Sequence, residues 1–191
     1  MWQDRCKPCK ILNQITLKFT IMKNLILILS MISMFLFSCG TQNEGKLSDE
    51  EKEKIKSEIS PLFNQIVQNS EAGNLKKAIE PYSNKTEFVS ISNGQVSDYD
   101  KFVEGNKQYF ETMKSQKFTE TLMNYTFVSR ETVIVTWGGS ATIKLKDGKQ
   151  LKVDPFAASL VFNRTNGIWK VIYNHESGVF TPIINDSIKT D

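Results

Sequence analysis

The sequence predicts an α+β domain in which helices come first and cover one face of a strongly curved antiparallel sheet. Three observations carry this. Apolar residues recur at three- and four-residue intervals behind Ser48, the period changes to two from Lys117 onward, and short turn pairs join the late strands. Helical segments followed by a run of hairpins form one domain with segregated layers.

Ser48-Asp49-Glu50-Glu51 has the spacing of a capping box, and Ile55, Ile59, Leu62, Phe63, Ile66 and Val67 lie on one face behind it. Pro61 sits inside this pattern after Ser60, so the helix either kinks there or restarts with Ser60 as its cap. Gly73-Asn74 ends the helix and caps a short second one through Ile79. Thr86 to Ile91 reads as a strand, Asn93-Gly94 as a turn, and Ser97-Asp98 as the cap of a third helix that presents Phe102, Asn106, Tyr109 and Met113 together. Four long strands follow, near 118–128, 132–146, 150–163 and 168–178, with Gly138-Gly139 as a bulge or bend. Asp147-Gly148 and Asn166-Gly167 are hairpin turns, so these strands form an antiparallel meander.

The chain has 191 residues, 40% hydrophobic and 24% charged, which fits one folded domain and excludes wholesale disorder. Its net charge of +3 does not indicate nucleic acid as a partner, because Arg5, Lys7, Lys10, Lys18 and Lys23, opposed only by Asp4, precede Cys39. The remainder is left near −1.

Leu25 to Phe37 is a charge-free run of 13 residues behind Lys23, the length of the apolar part of an export signal and short for a membrane span. Residues 22–38 are therefore expected to be a signal peptide, with Met22 as the start of translation and residues 1–21 as a mis-assigned leader. Cys6-Lys7-Pro8-Cys9 has the C-x-x-C spacing of a redox pair or half a zinc site, but no strand leads into it and no second ligand pair follows. Polar, glycine-containing residues 39–46 read as a tether, 47–180 as the domain and 181–191 as a tail. No cysteine follows Cys39, so the domain is held by its core and not by disulfides.

Two resemblances extend this reading. Leu36-Phe37-Ser38-Cys39 resembles the lipobox of bacterial lipoproteins, which implies acylation of Cys39 and a partner in a bacterial membrane, outside the cytoplasm, in the cell envelope. Glu71 to Ile79 resembles the stretch of nuclear transport factor 2-like proteins in which a Gly-Asp pair caps the second helix, with Asn74 in place of the aspartate. Asn166 to Gly178, with Trp169, His175 and Ser177, is similar to the final strand of SnoaL-like domains and of the calcium/calmodulin-dependent kinase association domain. Over Ile55 to Gly178 the resemblance implies a cone-shaped fold with an interior pocket, and a homodimer. It implies no single activity, since this fold hosts isomerases, cyclases and binding domains.

A small, partly apolar ligand is expected in a pocket lined by Tyr82, Phe88, Tyr109, Trp137, Phe156, Tyr173 and His175, although such aromatic residues equally fill cores. His175 is the single histidine, which excludes a site of several imidazoles, and no metal or cofactor is expected. As an acid/base group it competes with a structural histidine bonded within the sheet. Asp154 is the other acid/base candidate, for an enzyme of SnoaL or ketosteroid isomerase type. Placed before Pro155, it also reads as a turn or bulge device. No nucleophile elbow, phosphate loop, zincin motif or dinucleotide fingerprint is present, and the family's Asp, Tyr and Asp catalytic set cannot be mapped. A dimerising interaction module is the remaining alternative.

Overall fold

The computed structural model describes residues 46–184; the expected signal, Cys39, the Cys6–Cys9 pair and the end of the tail lie outside the described residues. Helix α1 (Asp49–Glu71) starts at the expected box, where Ser48 Oγ accepts from Glu51 N and Glu51 Oε2 accepts from Ser48 N. It continues through Pro61 as one helix and buries Ile55, Ile59 and Phe63. Proline withholds one N–H from the helix ladder, and nearby Ser60 Oγ bonds Lys56 O at 2.8 Å and Tyr125 Oη at 2.9 Å.

Asn74 caps α2 (Leu75–Ile79), its side chain accepting from Lys77 N at 3.3 Å. Strands β1 (Val89–Ser92) and β2 (Gln95–Ser97) form a hairpin around Asn93-Gly94, and α3 (Tyr99–Thr112) starts at Asp98. Then come β3 (Met113–Phe127), β4 (Thr132–Leu145), β5 (Gln150–Thr165) and β6 (Ile168–Pro182). Met113, expected on the third helix, instead opens β3, where it pairs with Leu145 and is buried with Ala141, Ile143 and Val153. Strand pairing overrides the helical spacing there.

The sheet order is β2-β1-β6-β5-β4-β3, with every pair antiparallel except β1 and β6. That parallel pair modifies the expected all-antiparallel sheet. Register shifts interrupt β3 between Glu120 and Leu122, the β4–β5 ladder near Gly139 and Ala141, and the β5–β6 ladder at two points. Each unpaired residue increases local twist and bends the strand, which curves the sheet toward the helices.

Ile59, Phe63, Val133, Val135, Trp137, Leu160, Phe162 and Val171 form the main core between α1 and the meander. Polar clips fix the middle and the C-terminal end of α1. Glu58 accepts from Trp169 Nε1 at 2.8 Å and pairs with Arg164 at 3.1 Å, while Glu71 accepts from Phe118 N at 2.8 Å. These clips hold the helix across the sheet and leave space beside its C-terminal half.

Candidate functional site

That space is a cavity of two adjoining chambers. The inner one, about 100 Å³, lies between Phe63, Ile66 and Val67 of α1, Tyr82, and Phe102 and Asn106 of α3. Phe118, Trp137, Phe156, Asn174 and Glu176 close it from the sheet. The outer one, about 540 Å³, shares Phe102, Asn106, Phe118, Phe156 and Glu176 with it and extends to Ser92, Lys101, Tyr109 and Gln116. The aromatic walls are packed as units. Tyr82 and Phe102 have ring centroids 4.9 Å apart, and Trp137 lies 5.6 Å from Phe156 and 6.0 Å from Phe118.

Strand β6 supplies the polar floor through a register shift. Phe162 pairs with Val171 and Val161 with Tyr173, so Ile172 is an extra residue on β6. Before it, Trp169 and Val171 point into the core; after it the alternation is reversed and Asn174 is buried, with Glu176 lining both chambers. His175 is accordingly exposed on the opposite face. The expectation that strand position sets His175 at the pocket mouth is thereby corrected, because one unpaired residue flips every later side chain.

Asn174 Nδ2 donates to Ser90 Oγ at 3.2 Å and is spent on structure. Tyr109 Oη donates to Gln116 Oε1 at 2.6 Å, and Gln116 Nε2 donates to Ser70 O at 2.8 Å, tying α3, β3 and the end of α1 together. Glu176 is different. Burial raises its pKa above the usual carboxylate range, opposed by a hydrogen bond from Ser92 and by the nearby charge of His175. Burial, and secondarily the charge of Glu176, pushes Tyr109 up to about 12 and Tyr82 further in the same direction, so both phenols stay neutral donors. At the site an aromatic enclosure surrounds one carboxyl that can exchange a proton.

Of the residues expected to line the pocket, Tyr82, Trp137 and Phe156 face the inner chamber and Tyr109 the outer one. Phe88 is buried behind Tyr82, ring centroids 5.9 Å apart and edge-on, and lines neither chamber. Tyr173 sits on the other side of the shift from Val171 and also lines neither. Asp154 is exposed, forms an ion pair with Lys152 at 2.6 Å, and precedes Pro155 in the register shift between Val153 and Phe156. The cavity contains none of its atoms, which corrects its placement as an acid/base group there. Glu176, Gln116 and Phe118 were not foreseen as lining residues. Asn106 was legible, since it shares a helical face with Phe102 and Tyr109.

Helices laid over a bent sheet around such a cavity define a nuclear transport factor 2-like protein. Within that class the chain belongs to the SnoaL-like domain family, whose model matches residues 59–182. Solved structures agree in fold. A hexachlorocyclohexane dehydrochlorinase, LinA-type3, from Novosphingobium barchaimii LL02 superposes with a TM-score of 0.60 at 14% identity, over 75% of this chain and 99% of that one. A protein provisionally assigned as a scytalone dehydratase, from Novosphingobium aromaticivorans DSM 12444, gives 0.60 at 10% identity, over 75% and 99%. An NTF-2 like protein of unknown function from Shewanella oneidensis MR-1 gives 0.51 at 20% identity, over 64% and 98%. No curated protein sequence matches the chain.

Proposed function

We propose that the domain binds a small, partly apolar molecule in the two-chambered cavity, and that acylated Cys39 holds it to a bacterial membrane outside the cytoplasm. The observation that carries the first part is the cavity: about 540 Å³ opening onto an aromatic inner chamber. That volume is within the range of small-molecule sites, and an apolar lining with few convergent polar groups is their usual composition. The second part rests on the apolar run ending at Ser38-Cys39. Native mass spectrometry of the protein purified from its own host is expected to show a small-molecule adduct that solvent extraction removes. A bare mass, with no adduct restored by host extract, overturns the binding reading. Cys39→Ser should abolish palmitate labelling, and retained labelling overturns the anchor.

Glu176 favours a second reading, in which the same cavity belongs to an enzyme and this carboxyl carries the proton, the role expected of His175 or Asp154. One structural neighbour is a dehydrochlorinase, which is compatible with it. Recovery of the extracted ligand unchanged after incubation with the protein supports binding alone, whereas its conversion supports catalysis.

A further inference from the structure

We infer that Glu176 makes the cavity a receptor for a small organic cation, a protonated amine carried on an apolar body. The inference rests on the binding reading above and names the class of ligand. In the inner chamber Glu176 is the one lining residue that can carry charge near neutrality, since the Tyr82 phenol is held neutral. Among the described residues, no lysine or arginine lies within ion-pairing distance of it. The charged or titratable groups around it are few. Tyr82 faces it from beside α2, Tyr109 and Lys101 of α3 line the outer chamber, and His175 adjoins it on β6. Lys101 is exposed and belongs to the outer chamber alone.

In the inner chamber an anionic ligand would meet the carboxyl with no cation to receive it. A neutral apolar ligand would leave the carboxyl without a countercharge in the inner chamber. An ammonium group satisfies both constraints. It supplies the missing countercharge in a desolvated site, and it sits against ring faces whose quadrupole attracts cations. Tyr82 and Phe102 provide such faces on one side, and Phe118, Trp137 and Phe156 on the other.

Burial favours the protonated acid while the cavity lacks a cation, so binding a protonated amine at acidic pH must expel the carboxyl proton to solvent. The bond that breaks is the carboxyl O–H, and its proton passes to water. Affinity for the amine therefore rises with pH, by up to about tenfold per unit, until the free Glu176 is itself ionised, and then levels off. A neutral ligand of the same shape has no such dependence.

The test is calorimetric titration of the full chain with 2-phenylethylamine and with its neutral analogue 2-phenylethanol, at about pH 5 and about pH 8, in wild type and Glu176→Gln. The amine is expected to bind more tightly at the higher pH and to release a proton at the lower one, while the alcohol is indifferent to pH. Glu176→Gln should weaken the amine by about tenfold or more at the higher pH and leave the alcohol unchanged. Trp137 fluorescence reports occupancy independently, because its ring lines the chamber. Binding of the alcohol as tightly as the amine, or full retention of the amine by Glu176→Gln, overturns the inference while the binding reading stands. Failure of both compounds to bind overturns both.

Discussion

Gly138 and Gly139 are adjacent on β4, yet a methyl group added to each should have opposite effects. At Gly139 an added Cβ would fall well inside contact distance of the Thr119 carbonyl oxygen on the paired strand β3, and 2.8 Å from Trp137 Cη2. Neither obstacle is the free end of a flexible chain. The carbonyl belongs to a strand already irregular between Glu120 and Leu122, and the indole is packed against Phe118 and Phe156. Overpacking of this kind costs about 1–3 kcal/mol, and backbone as the obstacle places this case at the upper end. The smaller unfolded-state entropy of alanine offsets about 0.4–1 kcal/mol, leaving Gly139→Ala destabilised by roughly 2 kcal/mol. At Gly138 the added Cβ would be 3.5 Å from Leu122 Cβ, an ordinary contact. Gly138→Ala should thus be neutral or stabilised by up to about 1 kcal/mol. Urea unfolding followed by far-ultraviolet circular dichroism measures both, and the two variants should differ by about 2–3 kcal/mol, with perturbed Trp137 emission in Gly139→Ala alone. A difference below about 0.5 kcal/mol would refute the claim that β3 and the indole close on this point.

Two further outcomes follow from the cavity. Because the folded-state pKa of Glu176 is raised, this group favours the fold fully below the ordinary glutamate pKa and loses that contribution as pH rises through the raised value. Glu176→Gln should therefore be more stable than wild type on the alkaline side, with the advantage shrinking on acidification. Thermal melts across pH check it, and a pH-independent difference would count against the desolvated carboxyl. Gln116→Leu deprives the Tyr109 hydroxyl of its acceptor, while the Ser70 carbonyl loses one donor and keeps the Gly73 N–H at 3.2 Å. It should cost about 1–3 kcal/mol in denaturant melts, less if water re-enters from the outer chamber.

Much of the fold was legible because its determinants are local. The Ser48 box, the Asn74 and Asp98 caps and the Asn93-Gly94, Asp147-Gly148 and Asn166-Gly167 turns are each set by residues within a few positions of one another. Alternation puts Val133, Val135, Trp137, Ala141, Ile143 and Leu145 on one side of β4, and all of them are buried there except Leu145, which is half-buried. The parallel β1–β6 pair was not legible. It joins Val89–Ser92 to Tyr173–Glu176 across the length of the meander, and nothing in either segment's own pattern encodes the partner. Met113 was lost at the helix-to-strand junction for the same reason, as its helical spacing is local and its burial among Ala141, Ile143 and Val153 is not.

The polar floor of the candidate site was not legible because of a single residue. Read with strict period two from Trp169, the last strand turns Val171, Tyr173 and His175 inward, and an imidazole then stands in the pocket. The extra residue at Ile172 changes the parity, and the same strand delivers Asn174 and Glu176 instead. Lys170-Val171-Ile172-Tyr173 contains no glycine or proline to announce a bulge. Its position coincides with a change of neighbour on the other edge of β6, where Tyr82 bridges to Val171 and β1 begins at Tyr173. The strand thus bends where it passes from one partner to the next, and this non-local geometry decides whether the cavity holds an imidazole or a desolvated carboxyl. The chemistry of the site therefore depends on sheet topology as much as on the side chains that line it.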